Sequence, residues 1–465
     1  MRRLRFRRLS RRGRLTLFGL GLGVAAGFLS LSAGPVTSLL AADEVAPDEL
    51  PPGELPPVGM GPRVVSPPVA PDAVRALPPV SAQTLAEHFA ADAEVAPPII
   101  RWVSAPSDDG AFTGPLRVEY AMDPELTRKI LGLLRRGRVK RGHVVVIDPR
   151  SGRLLAYVST DEENFPPERS YPAASLVKLI TAAAALDRAP EEARRPCLYR
   201  GNPYRLTRSR VNRPKSGREI SFEKAMATSN NQCFAQLAVH TVGARALQAA
   251  IARFGWLESP APGHAAGTLG AVEDDYDLGR LGSGLSATRI TPLHAGQLAA
   301  TLARGQRLEP WWVSRVVDAK GTTLALPMRP APMQVMTPEL AAELRQMLVR
   351  TTRFGTAKSA FRDRRGRPLL GSIAVSGKTG NLSGSDPEGR YEWFAGVAPA
   401  DQPSIAIAVV QVHGDLWWMR SSETAASILK EIFCERGRCQ PELARRYTGS
   451  LNAAIAPALV SGSGR

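Results

Sequence analysis

Sixty Lys and Arg against 43 Asp and Glu give this 465-residue chain a formal net charge of +17, a surplus that would suit nucleic-acid binding if it covered a folded surface. Residues 1–42, however, hold eight arginines and no acid, which leaves +9 over the remaining 423, so the main support for a nucleic-acid partner falls away. The length allows one large domain or two ordinary ones, and the six scattered histidines (His88, His143, His240, His264, His294, His413) lack the spacing of metal ligands. Neither a metal nor any other cofactor is called for.

The arginines lie in MRRLRFRRLSRRGR, residues 1–14, directly before about 19 mostly apolar residues from Leu15 to Ala33. A basic tail ahead of such a run is the layout of a positive-inside anchor or a signal peptide, and the run is long enough to cross a bilayer. Only Ser32-Ala33-Gly34 offers small residues for cleavage. The expectation is a basic cytoplasmic tail (1–14) and a segment over 15–40 retained in the lipid bilayer. Eleven prolines fall between residues 43 and 79, so residues 41–114 read as a Pro-rich, largely disordered linker that holds a globular head away from the membrane. Within it, AQTLAEHFAADAEV (82–95) has helical spacing.

From about Pro115 the text alternates strand and helix patterns. GHVVVIDPRSGRLLAYVST gives two β-rich runs joined by a DPRSG turn, a hairpin signal. YPAASLVKLITAAAAL (171–186) reads as a helix opened by Pro172, and SFEKAMATSNNQCFAQLAVHTVGARALQAAIARFG as helices broken near Ser229. TPLHAGQLAATLARG and TPELAAELRQMLVRTT are two further helices, each started by Thr-Pro. The β-rich runs GSIAVSGKTG, EWFAGVAPA and SIAIAVVQVHG close the domain. An early hairpin, central helices and late strands imply an α+β domain over 115–440: one antiparallel β-sheet flanked by helices, with a mostly helical subdomain. Residues 441–465 read as a flexible tail.

On a helix, Ser175 and Lys178 face the same way, and apolar neighbours depress a lysine's pKa, leaving a neutral amine to serve as a base. Taken alone, the pair is more simply a core lysine that snorkels to water and a serine near a helix start. Two later motifs change that balance. Ser229-Asn230-Asn231 stands 54 residues beyond Ser175, and Lys378-Thr379-Gly380 stands 149 beyond Ser229. S-x-x-K, S-x-N and K-T-G together make up the serine acyl-transferase set. Their settings agree: a helix start, a helix break that can aim Ser229 and Asn231 inward together, and a late strand on which Gly380 allows another backbone to come close.

With MDPELTRKILGLL, VVVIDPRSGRLLAYVS, ATRITPLHAGQLAATLARG, RFGTAK and EWFAGVAP around these motifs, residues 115 to 434 resemble the transpeptidase domain of bacterial penicillin-binding proteins. The resemblance implies a peptidoglycan D,D-transpeptidase that cross-links stem peptides through an acyl-enzyme on Ser175 and is inhibited by β-lactams. Lys178 would take the serine proton, and Ser229, with Lys378, would relay a proton to the leaving amine. Lys378 and Thr379 would bind the substrate carboxylate, and Asn231 the peptide backbone. The backbone N–H groups of Ser175 and Asn381 would form the oxyanion hole. Asn381 departs from the Thr or Ser usual at its position. A D,D-carboxypeptidase or β-lactamase on the same acyl-enzyme, and a non-catalytic β-lactam sensor or wall-synthesis scaffold, stay open as alternatives, as do partnerships with other wall-synthesis proteins. Four cysteines suit an exported protein. Cys434 with Cys439 and Cys197 with Cys233 are one of three possible connectivities, and a bridge at Cys233 would brace the second motif.

Overall fold

The runs GHVVVI, LLAYVS and IAIAVVQVH contain no Lys, Arg, Asp or Glu, and the first and third are rich in β-branched residues, which suits strands covered on both faces; all three are buried throughout. The computed structural model describes residues 70, 74, 100–103, 115–414 and 418–449, all in one compact unit. In chain order its main elements are β1 (Ile100–Val103), β2 (Leu116–Tyr120), α1 (Pro124–Arg136), β3 (Gly142–Ile147), β4 (Leu154–Ser159), α2 (Lys178–Arg188), β5 (Cys197–Tyr199) and β6 (Arg218–Ile220). There follow α3 (Phe222–Ala227), α4 (Asn231–Gln236), α5 (Asp275–Ser283), α6 (Pro292–Arg304), β7 (Val313–Val317), β8 (Thr323–Leu324), α7 (Pro338–Arg353), β9 (Ser376–Ser385), β10 (Glu388–Ala398), β11 (Ile405–His413) and α8 (Ser421–Phe433).

The central sheet is antiparallel with strand order β9-β10-β11-β3-β4. Strand β9 is therefore an edge: it pairs along its length with β10, Lys378 opposite Ala395 and Gly380 opposite Trp393, and its outer side has no neighbouring strand among the described residues. On one face, Leu126 and Ile130 of α1 and Leu429 and Phe433 of α8 pack with Val144, Val146 and Ile407. On the other, Leu298 of α6 packs with Val145, Ala408 and Val410, and the same core continues into the helical half through Leu179, Ile180, Phe234 and Leu281. Thr291 and Thr337 cap α6 and α7 ahead of their prolines, each accepting a backbone N–H bond. Every residue of α2 from Lys178 to Leu186 is buried. Its alanines favour helix and have so little volume that neighbouring helices can close around it.

Two boundaries need correction. A second antiparallel sheet of order β1-β2-β7-β8 draws on residues read as linker, with Ile100 opposite Glu119. The Ala70 N–H donates to the Ala325 carbonyl at 2.7 Å, and Ala70 and Val74 are buried. The prolines around these short apolar stretches masked them in the sequence. At the other end, residues 441–449 are folded. The Cys434–Cys439 bridge turns the chain back, Gln440 N–H donates to the Phe433 carbonyl at 2.8 Å, and Ala444 and Tyr447 join the core beneath α8. The expected anchor and the helix-like segment 82–95 lie outside the described residues; among those described, no helix is long and apolar enough to cross a membrane.

Candidate active site

Ser175 does not lie inside an α-helix opened by Pro172. A two-residue strand, Tyr171–Pro172, leads into a 3₁₀ turn over Ala174–Val177, and α2 begins only at Lys178. Ala174 has φ of 50°, which a right-handed helix cannot contain. Three contacts fix the turn. Trp393 Nε1 donates to the Pro172 carbonyl at 2.8 Å, Ala173 N–H donates to the Thr288 carbonyl at 2.9 Å, and Gly284 lies against the Ala174 carbonyl. A Cβ at Gly284, whose φ is +76°, would stand 2.1 Å from that oxygen. Ala174, Leu176 and Val177 are buried while Ser175 is partly exposed.

Lys178 is fully buried, and its amine is ringed by oxygens: Ser175 Oγ, Ser229 Oγ and the Ser229 carbonyl at 3.0 Å each, and Asn231 Oδ1 at 2.5 Å. It makes no ion pair among the described residues. Burial without a counter-charge pushes its pKa well below the ordinary lysine range, and the nearby Lys378 charge pushes it further the same way. A neutral amine has two N–H donors and one lone pair. The Ser229 carbonyl and Asn231 Oδ1 are pure acceptors and take the donors. The lone pair is left for a hydroxyl proton.

Ser229 and Asn231 reach the same amine although two residues apart, because the chain breaks between α3 and α4. Ser229 takes φ of 56°, and Asn230 caps α4, accepting from the N–H groups of Gln232 and Cys233. Asn231 is fixed from behind: its Nδ2 donates to the Tyr204 carbonyl at 2.8 Å and its own N–H to the Pro203 carbonyl at 2.9 Å. Ser229 Oγ also receives Lys378 Nζ at 2.9 Å, and Lys378 donates to the Thr379 carbonyl at 2.7 Å. Lys378 is fully buried, and burial pushes its pKa down to about 7. Two lysines and two serines thus form one chain of hydrogen bonds.

Thr379 Oγ1 is 2.5 Å from the hydroxyl of Thr356, from the RFGTAK stretch. Gly380 faces the serine turn: a Cβ there would meet Ala174 Cβ at 3.2 Å, the Ala173 carbonyl at 3.3 Å and Ser175 N at 3.4 Å. Its small size therefore admits a backbone of the chain itself, beyond any peptide added at the edge, and it brings the Ser175 amide up to β9 one residue before Asn381. The Asn381 side chain is turned outward and accepts from Arg390 Nε at 2.5 Å. The structure therefore joins Ser175, Lys178, Ser229, Asn231 and Lys378 in one hydrogen-bonded cluster and sets Gly380 against the serine turn, while Thr379 bonds Thr356 and the Asn381 side chain points away. Tyr204, Thr356, Gly284 and Arg390 escaped the sequence reading, because three act through a main-chain group or from an adjacent strand. Only Thr356, within a stretch the resemblance included, left a readable trace.

The bridges are Cys197–Cys233 and Cys434–Cys439. The first joins β5 to α4 two residues past Asn231. Among the described residues no group of three or more His, Cys, Asp or Glu is placed to hold a metal ion.

An antiparallel sheet whose edge carries Lys-Thr-Gly, faced by a Ser-x-x-Lys turn and a Ser-x-Asn turn, defines the penicillin-recognising serine acyl-transferase class. Within that class the chain belongs to the penicillin binding protein transpeptidase domain family, whose model matches residues 142–434. It is 25% identical over 315 residues to the peptidoglycan D,D-transpeptidase PbpA of Mycobacterium tuberculosis, covering 59% of this chain and 62% of that protein. The chain thus spans less than two thirds of the length of that curated relative. The crystal structure of PBPA from Mycobacterium tuberculosis superposes with a TM-score of 0.55 at 23% identity, covering 67% of this chain and 81% of that one. The imipenem acyl-enzyme complex of M. tuberculosis penicillin-binding protein A gives 0.54 at 22% identity, covering 67% and 78%.

Proposed function

We propose that this protein is a peptidoglycan D,D-transpeptidase, held by an N-terminal membrane segment with its catalytic domain on the outer side of a bacterial cytoplasmic membrane. The observation that carries the reading is the buried amine of Lys178, without an ion pair among the described residues, at 3.0 Å from Ser175 Oγ. Ser175 Oγ attacks the carbonyl carbon of the penultimate D-Ala of a stem peptide while its proton passes to the Lys178 lone pair. The peptide C–N bond then breaks, and the departing D-Ala amine takes a proton from Ser229, which Lys178 and Lys378 resupply. The amine of a second stem peptide attacks the resulting ester, gives up its proton along the same path and restores the Ser175 hydroxyl.

Developing negative charge on the carbonyl oxygen falls to the amides of Ser175 and Asn381, which Gly380 brings close; such preorganised donors stabilise the transition state by about 3 kcal/mol each. Lys378 and Thr379, with Thr356 behind it, receive the terminal carboxylate. Asn231 sets the amine of Lys178 and presents its amide edge to the peptide backbone. The free edge of β9 takes the extended donor peptide by strand addition.

The test is turnover of a stem pentapeptide ending in D-Ala-D-Ala, with and without an amine acceptor. The expected result is D-Ala release with a cross-linked product that grows with acceptor concentration. Release with hydrolysis alone at every acceptor concentration means a carboxypeptidase, and no release means that the fold is kept without this chemistry.

A further inference from the structure

Residues 194–218 contain nine Lys and Arg and no acidic residue. With the eight arginines of residues 1–42 set aside, the other 43 basic residues of the chain match its 43 acidic ones. The net positive charge outside the N-terminus therefore comes from this one segment. Except for Arg210, which is half-buried, its charged side chains are exposed. Arg194 pairs with Glu343 and Arg208 with Asp274. Arg200, Arg205, Arg210, Arg213, Lys215 and Arg218 make no ion pair among the described residues.

The segment is built to stay in place. Its ends pair as β5 and β6, with Cys197 opposite Ile220 and Tyr199 opposite Arg218. The Cys197–Cys233 bridge ties its base to α4, and Gln232 Nε2 donates to the Arg200 and Asn202 carbonyls at 2.8 Å each. Three guanidinium groups are held by neutral partners: Arg200 on Ser216, Arg210 on the Arg205 carbonyl and Arg213 on the Pro196 carbonyl. This orders the side chains and leaves their charge uncompensated. The Tyr204 carbonyl, one residue before Arg205, is the acceptor that holds Asn231. The positive surface and the proposed site thus share a wall.

We propose that residues 194–218 form a docking surface for the peptidoglycan polymer itself, drawing it in through the free carboxylates of its stem peptides. This rests on the transpeptidase reading and names the substrate form that it favours: strands with unmodified carboxylates over amidated ones. A like-charged surface beside a cleft raises the local concentration of an opposite polyion and the rate of encounter, and salt weakens the effect. A multivalent strand held on this surface keeps its next stem peptide near the cleft.

The experiment measures binding of the full chain in detergent to soluble, uncross-linked peptidoglycan strands at low and high salt, beside the same strands with their carboxylates amidated. Arg205→Glu, Arg213→Glu and Lys215→Glu together are expected to weaken binding by about tenfold or more at low salt. Acylation by a fluorescent penicillin should stay within about twofold, because none of the three touches the site. The milder pair Arg213→Gln and Lys215→Gln, less able to disturb folding, is expected to fall between. Unchanged binding in both variants, equal binding of amidated strands, or displacement of the strands by DNA at lower concentration overturns the proposal. Absence of penicillin labelling in the wild type would count against the transpeptidase reading alone, since strand binding is measured separately.

Discussion

The two walls of the cleft each contribute a fully buried lysine, yet they treat it differently. On the helical wall, Lys178 sits at the start of an alanine-rich helix among four oxygen neighbours, and Lys378 adds its own repulsion to the burial. On the sheet wall, Lys378 has two oxygen partners, and burial alone lowers its pKa, to about 7. In the proposed mechanism the first wall supplies a base and the second a group whose charge changes near neutrality. Ser229 joins them. The lesson is that burial depth alone does not assign the role of an amine: the number of its acceptors and the charge beside it do.

The sharpest way to break this contrast is Lys178→Met, which removes the lone pair and leaves Asn231 Oδ1 and the Ser229 carbonyl without their donor. Penicillin acylation, followed by stopped-flow or gel fluorescence, is expected to fall by about 10³-fold or more. Asn231→Ala comes next. It frees the amine and the Tyr204 carbonyl together, and the acylation rate is expected to drop by about 10²-fold. Gly284→Ala forces a Cβ against the Ala174 carbonyl in a left-handed backbone, and about 10-fold slower acylation with a lowered melting temperature is expected. Gly380→Ala meets its neighbours at 3.2–3.4 Å, so the turn yields slightly and a loss of about 2- to 5-fold is expected.

The pH dependence sharpens the comparison further. Lys378 titrates near 7 when folded and near 10.5 when unfolded. Between those values the unfolded chain binds the extra proton, so the group's destabilising effect shrinks as pH rises through that window and is greatest below about 7. The stability of the wild type relative to Lys378→Met is therefore expected to rise from pH 7 toward pH 10 in denaturant titrations. Binding of carboxylate-bearing donors is expected to weaken over the lower part of that range as the Lys378 charge is lost. A flat difference in stability would remove the case for a low pKa on the sheet wall.

Much of this was legible in the sequence. Order and spacing placed Ser175, Ser229 and Lys378 on a helix start, a helix break and a strand. The apolar, uncharged runs at 142–147, 154–159 and 405–413 announced the sheet. The 3₁₀ turn was not legible, because it depends on Gly284 and Trp393, 109 and 218 residues beyond Ser175. Nor was the pairing of Ile100–Val103, a strand whose partner makes it one. The linker and tail boundaries failed for the same reason: short apolar stretches beside prolines gain their meaning from a surface elsewhere in the chain. The charge of residues 194–218 was plain in the text, and only the carbonyl of Tyr204 set it beside Asn231.

The central claim is that Lys178 activates Ser175 and no other serine. Peptide mapping by mass spectrometry after exposure to benzylpenicillin tests it most directly. One penicilloyl adduct is expected, on Ser175, absent from the Ser175→Ala protein and formed about 10³-fold or more slowly in the Lys178→Met protein. An adduct on Ser229, or one on Ser175 that forms at the wild-type rate without Lys178, would contradict it.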